Sequence, residues 1–279
     1  MVAERLSKPQ IGARSRLAYL AQRVRELYEF RYLVRYLAWS ALRVERVSFA
    51  FGFFWWLLDP ALTIVMWTLI LVGIFGRGSG PYPFPLFIMS TMFAWEFMVR
   101  TARNSVALTH AKELQMRQIA FPRAVFPLAN AFAESVKLAF ALALFPVAAL
   151  AFGQSVSPVQ LLVVPLIPIL MAITLGISWF LSALNFVFRD TERLMGILFR
   201  LWFFLSPIIY PLEKVPVRFR PIYELNPMCF ILECFRDVLL YHQIPRPTYL
   251  GGAVAAAVVT ATIGFVYFHF QEPRFAKLN

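Results

Sequence analysis

The residue types that most often carry catalysis or bind metals are few in this chain and far apart. The histidines and aspartates number three each: His110, His242 and His269, and Asp59, Asp190 and Asp237. Enzymes that act on a prenyl or glycosyl diphosphate hold a metal ion with clustered acids, and the sequence shows no such cluster. The phosphate-binding motif Gly-x-x-x-x-Gly-Lys-Ser/Thr is also absent. The sequence therefore predicts no catalytic, metal or cofactor site on this chain.

Charged and aromatic residues inside apolar segments are better candidates for function, because an ionisable side chain in a membrane is costly. Glu134 and Lys137 are three residues apart and are expected to pair on one face of a helix. An aromatic cluster that includes Phe54, Trp55 and Trp56 marks the start of the first apolar segment. It fits two interpretations: an anchor at the membrane surface, or a conduit wall whose rings stack on sugars.

The overall composition places these residues in an integral membrane protein. Of the 279 residues, 60% are hydrophobic and 15% are charged, and the mean hydropathy is +0.66. A soluble domain has about 45–50% apolar and about 25% charged residues. The net charge of +12 then points to faces that meet anionic lipid rather than to nucleic acid. Cys229 and Cys234 are expected to be packed thiols rather than a disulfide.

Six apolar segments are long enough to cross about 30 Å of hydrocarbon as helices. They are residues 51–75, 84–106, 124–152, 159–188, 195–212 and 248–270. The second is the weakest, since it carries Glu96, Arg100 and Arg103. We therefore predict an all-α integral membrane fold, with six transmembrane helices in a single domain at 51–270.

The distribution of basic residues predicts the orientation of these helices. With both termini inside the cell, 19 of the 27 Lys and Arg residues fall on the inside, counting Arg100 and Arg103 near the inner end of the second span, and only six fall in outside segments. This asymmetry follows the positive-inside rule. We therefore predict a cytoplasmic N-terminal region at 1–50 and a cytoplasmic tail at 271–279.

Three segments outside the predicted spans have patterns of their own. Residues 14–47 have apolar positions at helical spacing among many arginines, which is typical of an amphipathic helix that lies on the inner leaflet. Residues 107–123 form a cytoplasmic loop with a short helix at 112–119. Residues 213–247, between the fifth and sixth spans, hold apolar pieces too short to cross and bounded by prolines. We interpret them as short re-entrant or interfacial helices.

Four motifs, in order along the chain, carry a resemblance to a known family. They are Gly52-Phe53-Phe54-Trp55-Trp56-Leu57-Leu58-Asp59-Pro60, Phe121-Pro122-Arg123, Arg189-Asp190, and a final set made of 202–211, Leu225-Asn226-Pro227-Met228 and Phe235-Arg236-Asp237. Together they resemble the permeases of ABC-2 polysaccharide exporters. The first motif departs from the family, which often has Ser-x-Leu-Gly where this chain has Ser48 four residues before Gly52 and Phe51 in place of Leu.

The resemblance implies an architecture and a function. In the ABC-2 (type V) exporter architecture, two copies of the permease form a channel, and two separate ATP-binding subunits hold ATP and Mg. The implied cargo is a cell-envelope glycan, such as O-antigen or teichoic acid, on an undecaprenyl pyrophosphate carrier. It would move from the inner to the outer leaflet of the bacterial cytoplasmic membrane.

The resemblance also implies roles for three segments. The loop at 109–123 is the expected coupling helix that contacts the ATP-binding subunit through Lys112, Leu114, Gln115, Met116, Arg117 and Phe121. The segment at 213–247 shapes the outer gate, together with Pro207, Tyr210, Asn226 and Pro227. The basic N-terminal helix lies at the lipid entrance.

Three arginines of that helix, Arg35, Arg43 and Arg46, are candidates to meet the carrier pyrophosphate, because guanidinium groups bind such anions bidentately. General attraction to anionic lipid explains the same arginines equally well.

The sequence leaves two alternative functions. One is an ABC-2 permease that exports a small amphiphile such as a drug or lipid. The other is a membrane enzyme acting on a polyprenyl carrier, which the missing acid cluster disfavours.

Overall fold

The computed structural model describes residues 13–48, 54–76, 81–111, 122–188 and 190–275. Within these ranges the chain is helical and has no strand. The helices are α1 (Ala13–Glu29), α2 (Arg31–Ser48), α3 (Trp55–Thr68), α4 (Phe84–Ala111), α5 (Val125–Ala151), α6 (Val163–Val187), α7 (Thr191–Phe204), α8 (Arg220–Glu224), α9 (Pro227–Leu239) and α10 (Pro247–Phe275). A π-helical segment, Leu69–Ile74, continues α3, and short 3-10 helices lie at Pro158–Leu162, Leu212–Lys214 and Val217–Phe219.

Each of the six predicted spans overlaps a helix: α3, α4, α5, α6, α7 and α10. Among the described residues, three helical stretches are both long and apolar enough to cross a membrane, namely Val125–Ala151, Pro158–Val187 and Pro247–Gln271. The stretch Ala61–Ile74 is apolar but shorter. By length and composition, these three helices are candidate membrane spans.

The fifth predicted span was placed too far along the chain. Helix α7 has 14 residues and ends at Phe204, whereas the apolar segment was expected to continue to 212. The cause is Pro207, because a proline disfavours the α conformation in the residue before it and has no N–H for a helical hydrogen bond. A helix of this length spans only about 21 Å.

The helix whose sequence was the weakest membrane candidate, α4, lies at the centre of the bundle. It packs against α3, α5, α6, α7 and α9. Its side chains at Ile88, Met98, Ala102 and Val106 are fully buried. The charges that lower its hydropathy are thus carried on a helix surrounded by protein.

Helices α6 and α10 make the closest packing contact of the fold. A Cβ atom placed on Gly264 would overlap the backbone of Gly176, and a Cβ on Gly176 would overlap the backbone at Thr260. Small residues at such a crossing allow two backbones to approach within van der Waals distance. The two glycines therefore determine how close α6 and α10 lie.

Two of the predicted spans end at a glycine in the left-handed conformation. Gly153 has a φ of 71° after α5, and the N–H of Gln154 donates to the carbonyl of Ala149 at 2.9 Å. Gly76, with a φ of 62°, follows the π-helical segment in the same way. Only glycine adopts these left-handed conformations without strain.

The predicted N-terminal helix is present as two helices, α1 and α2, separated at Phe30. One face is apolar and packs on the bundle, through Leu27, Val34, Ala38 and Leu42. The opposite face is exposed and carries Tyr28, Tyr32, Tyr36 and Trp39 among its arginines. The apolar face thus packs this segment against α5, while the aromatic and basic face is exposed on the surface of the chain.

Candidate transport site

The predicted entrance arginines lie on α2. Arg35 and Arg43 are both exposed, and the guanidinium of Arg43 lies 5.8 Å from the centroid of the Trp39 ring. The side chain of Arg46 is outside the part of the chain that the structure describes. Two of the three arginines are therefore accessible on the face of α2 that points away from α5.

A chain of charges joins the N-terminal helices to the bundle. The Nζ of Lys137 on α5 lies 2.8 Å from a carboxylate oxygen of Glu134, which confirms the pair expected from the sequence. The same Nζ lies 2.6 Å from a carboxylate oxygen of Glu45 on α2. Asn104 of α4 donates to Glu134 at 3.2 Å. One lysine thus holds two acids, and helices α2, α4 and α5 meet at this point.

The aromatic cluster at the start of α3 divides into two parts. The indole N–H of Trp56 donates to Glu45 at 3.0 Å, and Lys137 lies 5.4 Å from its ring centroid. Phe54 and Trp55 are 58% and 40% exposed. Trp56 is therefore part of the charged junction, and only the exposed pair is suited to anchor the protein or to line a conduit.

Asp59, which the sequence suggested to be alone, has a partner. The Nη2 of Arg100 on α4 lies 2.6 Å from the Oδ2 of Asp59 on α3, and the Nε of Arg100 lies 3.3 Å from Glu96. The sequence gave no indication of this pair because the two residues are 41 positions apart. The charges on α4 at Glu96 and Arg100 are thus neutralised within the bundle.

A second charged junction lies between α7 and α10. Arg236 of α9 is completely buried and donates to Glu233 at 2.5 Å. It also donates to the carbonyl oxygens of Pro207 at 2.6 Å and Ile208 at 3.3 Å. Its guanidinium lies 4.3 Å from the centroid of the Phe87 ring on α4. Arg236 therefore links the residues after α7 to the first turn of α4.

Arg246, just before α10, completes this junction. It makes two hydrogen bonds of 3.1 Å to the carboxylate of Asp237 and lies 3.2 Å from Glu213. Burial alone raises the pKa of Glu213, but a backbone hydrogen bond and Arg246 together hold that pKa below its ordinary value. Partial burial alone lowers the pKa of Arg246, whereas its bonds to Asp237 raise that pKa above the ordinary value. Both groups are thus held in their charged forms.

The predicted gate residue Asn226 caps α9 and ties it to α7. Its side-chain oxygen accepts hydrogen bonds from the N–H of Met228 at 3.0 Å and from the indole N–H of Trp202 at 2.8 Å. Its amide nitrogen donates to Ser206 at 2.8 Å. Pro227 follows at the first position of α9, where its missing N–H costs no hydrogen bond.

The other two predicted gate residues lie in the turn after α7. Pro207 is buried and offers its carbonyl to Arg236. The hydroxyl of Tyr210 donates to the carbonyl of Phe204 at 2.5 Å and lies 2.7 Å from the hydroxyl of Tyr223. The structure therefore brings Pro207, Tyr210, Asn226 and Pro227 into one region, built around the ends of α7 and α9.

Comparison with known proteins identifies the family to which this arrangement belongs. Residues 25–240 match the ABC-2 type transporter family, which is more than two thirds of the chain. The chain belongs to the ABC-2 type transporter family. The resemblance seen in the four sequence motifs is thereby confirmed.

Several curated proteins are similar to this ABC-2 transporter over most of its length. The O-antigen export system permease protein RfbA of Myxococcus xanthus is 25% identical over 91% of this chain and 98% of its own. The protein of the same name from Klebsiella pneumoniae is 26% identical over 85% of this chain and 91% of its own. The polysialic acid transport protein KpsM of Escherichia coli is 22% identical over 83% of this chain and 90% of its own.

The predicted coupling residues of this ABC-2 transporter lie outside the described residues: Lys112, Leu114, Gln115, Met116, Arg117 and Phe121. The structure does describe what flanks them. Helix α4 leads into this segment at Ala111, and α5 follows it at Val125. The carbonyl of Ala124, just before α5, accepts a hydrogen bond of 3.3 Å from the indole of Trp179 on α6.

Sequence reasoning missed three charged partners, Glu45, Asp59 and Arg246. Each pairs with a residue on another helix or loop, so no local spacing indicates the contact. Asp59 and Asp237, which the sequence places far from other aspartates, thus each have an arginine partner. Within the described residues of this ABC-2 transporter, no group of three or more His, Cys, Asp or Glu side chains is arranged to hold a metal. The two cysteines are free and buried, as expected.

Proposed function

We propose that this chain is the permease subunit of an exporter for lipid-linked polysaccharide. Its cargo is a cell-envelope glycan on undecaprenyl diphosphate, which it moves from the inner to the outer leaflet of the bacterial cytoplasmic membrane. The observation that carries this proposal is the full-length similarity to O-antigen and polysialic acid exporters, which covers 83–91% of this chain.

The proposed assembly has two copies of this chain and two ATP-binding subunits that hold ATP and Mg. Each copy contributes six spans, α3, α4, α5, α6, α7 and α10, with both termini in the cytoplasm. The basic residues support this orientation, because those before residue 50 would then face the anionic inner leaflet. The arginines of α2 would lie beside the lipid entrance.

Helix α4 offers a mechanical connection between ATP hydrolysis and the outer gate. It begins near Phe87, which packs under the guanidinium of Arg236, and it ends at Ala111, where the proposed coupling segment starts. Its 28 residues span about 42 Å. A push on the coupling segment by the ATP-binding subunit would therefore reach the charged junction at the opposite end through one rigid helix.

A specific observation favours a second function, the export of a small amphiphile. A cavity of about 310 Å³ lies between α6, α7 and α10, and its walls are apolar: Ile177, Phe180, Leu181, Leu198, Phe199 and Ile263 are among its residues. Such a cavity suits the apolar part of a drug or lipid. It suits the isoprenoid tail of a polyprenyl carrier equally well, and the similarity to polysaccharide exporters favours the carrier.

Deletion of the gene in its host tests the proposal. Lipid-linked glycan should accumulate inside the cell and surface polysaccharide should fall, and expression of the chain from a plasmid should restore export. The readouts are extraction of the lipid-linked pool and staining of surface polysaccharide on intact cells. Unchanged surface polysaccharide, with altered efflux of a small amphiphile, would establish the second function instead.

A further inference from the structure

A polar cavity lies between α4 and α7. Its volume is about 520 Å³, and it is lined by Arg103, Glu192, Met195, Gly196 and Arg200. A Cβ atom placed on Gly196 has no heavy atom within 4 Å, so this wall opens directly into free space. The lining charges are two guanidinium groups and one carboxylate, which gives a net positive charge.

The two arginines of this cavity differ from the basic residues that form the charged junctions of the bundle. Arg100, Lys137 and Arg236 each form an ion pair with an acid. Within the part of the chain that the structure describes, neither Arg103 nor Arg200 does so. Their guanidinium groups are therefore available to an anion from outside the chain.

Local contacts hold both guanidinium groups at the cavity. The Nε of Arg200 donates to the carbonyl of Gly196 at 2.9 Å, which leaves its two terminal nitrogens available. The guanidinium of Arg103 lies 5.9 Å from the centroid of the Phe199 ring on α7. Arg103 thus reaches across from α4 to α7, and both side chains are positioned without using their full hydrogen-bonding capacity.

The position of these residues makes their lack of an acidic partner informative. Arg200 is nine residues after the start of α7 at Thr191, about 14 Å along the helix, and Arg103 is eight residues before Ala111, about 12 Å from that end of α4. In the proposed orientation both helix ends are cytoplasmic, so both exposed arginines lie toward the inner side of the bundle, where an anionic headgroup can reach them. A charge beside the hydrocarbon is stabilised by an opposite charge.

We infer that this cavity binds the diphosphate of the polyprenyl-linked cargo while the cargo crosses the membrane, an inference that rests on the proposed function. Arg103 and Arg200 donate hydrogen bonds to the phosphate oxygens from two helices, as guanidinium groups do in bidentate anion recognition. Glu192 repels the same anion and keeps binding weak enough for release. A transport path requires both properties, since cargo must enter the site and also leave it.

This cavity is distinct from the predicted lipid entrance. Arg35 and Arg43 lie on α2, which packs along α5, whereas the cavity is formed by α4 and α7. The order along the path would be first the arginines of α2 and then the arginines of the cavity. Binding at the two places is separable by mutation.

The test measures binding of undecaprenyl diphosphate to the full-length permease in nanodiscs of neutral lipid. Arg103→Gln and Arg200→Gln should each weaken binding about tenfold, and Glu192→Gln should strengthen it about threefold. Arg193→Gln is the matched control, because Arg193 is exposed on the same helix but does not line the cavity. It should change the dissociation constant by less than twofold. Arg200→Lys, which keeps the charge, should recover part of the affinity.

Three results would overturn the inference. The first is equal binding by the wild type and both arginine variants, with size-exclusion profiles showing that the variants are folded. The second is an equal loss for Arg193→Gln, which would indicate general attraction of anions to α7. The third is the same loss when phosphatidylglycerol replaces undecaprenyl diphosphate, which would indicate a site for ordinary anionic lipid.

The same experiment separates this inference from the proposed function. If deletion of the gene lowers surface polysaccharide but the arginine variants bind undecaprenyl diphosphate as the wild type does, the cavity is not the diphosphate site and the export function stands. If the arginine variants lose binding but deletion of the gene leaves surface polysaccharide unchanged, the export function is rejected instead.

Discussion

Lys137 and Glu45 form an ion pair of 2.6 Å, although they are 92 positions apart in the sequence. The lysine comes from the middle of α5, and the acid comes from the last turns of α2. This contact fixes the amphipathic N-terminal segment to a membrane-crossing helix. Because Lys137 is only 10% exposed and also holds Glu134, the pair is a structural junction more than a surface salt bridge.

The junction predicts unequal effects of removing its members. Lys137→Met should lower the free energy of unfolding by up to about 3 kcal/mol, because it leaves the buried Glu134 without a positive partner. Glu45→Gln should cost much less, since Lys137 then still pairs with Glu134. Thermal unfolding of the purified chain in detergent measures both. Lys137→Arg, which keeps the positive charge, serves as the control. Equal melting temperatures for Lys137→Met and Glu45→Gln would argue against a structural junction.

Removal of the Arg236 side chain should cause a severe loss of stability at the junction between α7 and α9. Arg236→Gln should leave Glu233 buried without its partner and two carbonyls without their donor, at a cost of about 3–5 kcal/mol. The level of folded protein in the membrane should fall accordingly. Arg218→Gln is the matched control, because Arg218 is exposed and its guanidinium rests on the neighbouring Phe219. Normal levels of the Arg236 variant would show that the junction is dispensable.

The α6–α10 contact predicts that alanine substitution destabilises the protein at one glycine of α10 but not at another. Gly264→Ala should destabilise the fold by about 1–3 kcal/mol, because the new Cβ overlaps the backbone of Gly176. Gly251→Ala should be neutral or slightly stabilising, since nothing lies within 4 Å of its Cβ position. Melting temperatures of the two variants give the comparison. If both variants behave alike, α6 and α10 are further apart than the structure shows.

The coupling segment predicts a loss of transport without a loss of folding. Leu114→Asp should abolish export and uncouple ATP hydrolysis from cargo, because it places a charge in the apolar surface expected to enter the ATP-binding subunit. Export and ATPase activity of the assembled complex are the measurements. Leu225→Asp is the control, since Leu225 is 84% exposed in the segment before α9. Wild-type export by the Leu114 variant would mean that force enters elsewhere.

The orientation predicts which introduced cysteines react with an impermeant thiol reagent. A cysteine at Ser79 should react in intact cells, and one at Lys277 should react only after the cells are opened. The native thiols, Cys229 and Cys234, are buried and should contribute little background. The reverse labelling pattern would place both termini outside.

The sequence predicted local features well and long-range contacts poorly. Apolar segments of sufficient length identified six helices, and Glu134 was correctly paired with Lys137 because a helix brings positions three apart together. The partner of Arg100 was missed because Asp59 lies on another helix. The central position of α4 was missed for a related reason, since hydropathy counts Glu96 and Arg100 as isolated charges, although they pair with each other and Arg100 also pairs with Asp59 on α3.

The short α7 has a consequence for the bilayer around the protein. Its 14 residues cover about 21 Å, roughly 9 Å less than the hydrocarbon core. A helix shorter than the membrane draws the lipid headgroups of the two leaflets toward each other. In the proposed six-span arrangement, the barrier between the two aqueous phases would therefore be thinner at α7 than elsewhere. A hydrophilic chain that passes alongside α7 would have a correspondingly shorter distance to travel out of water.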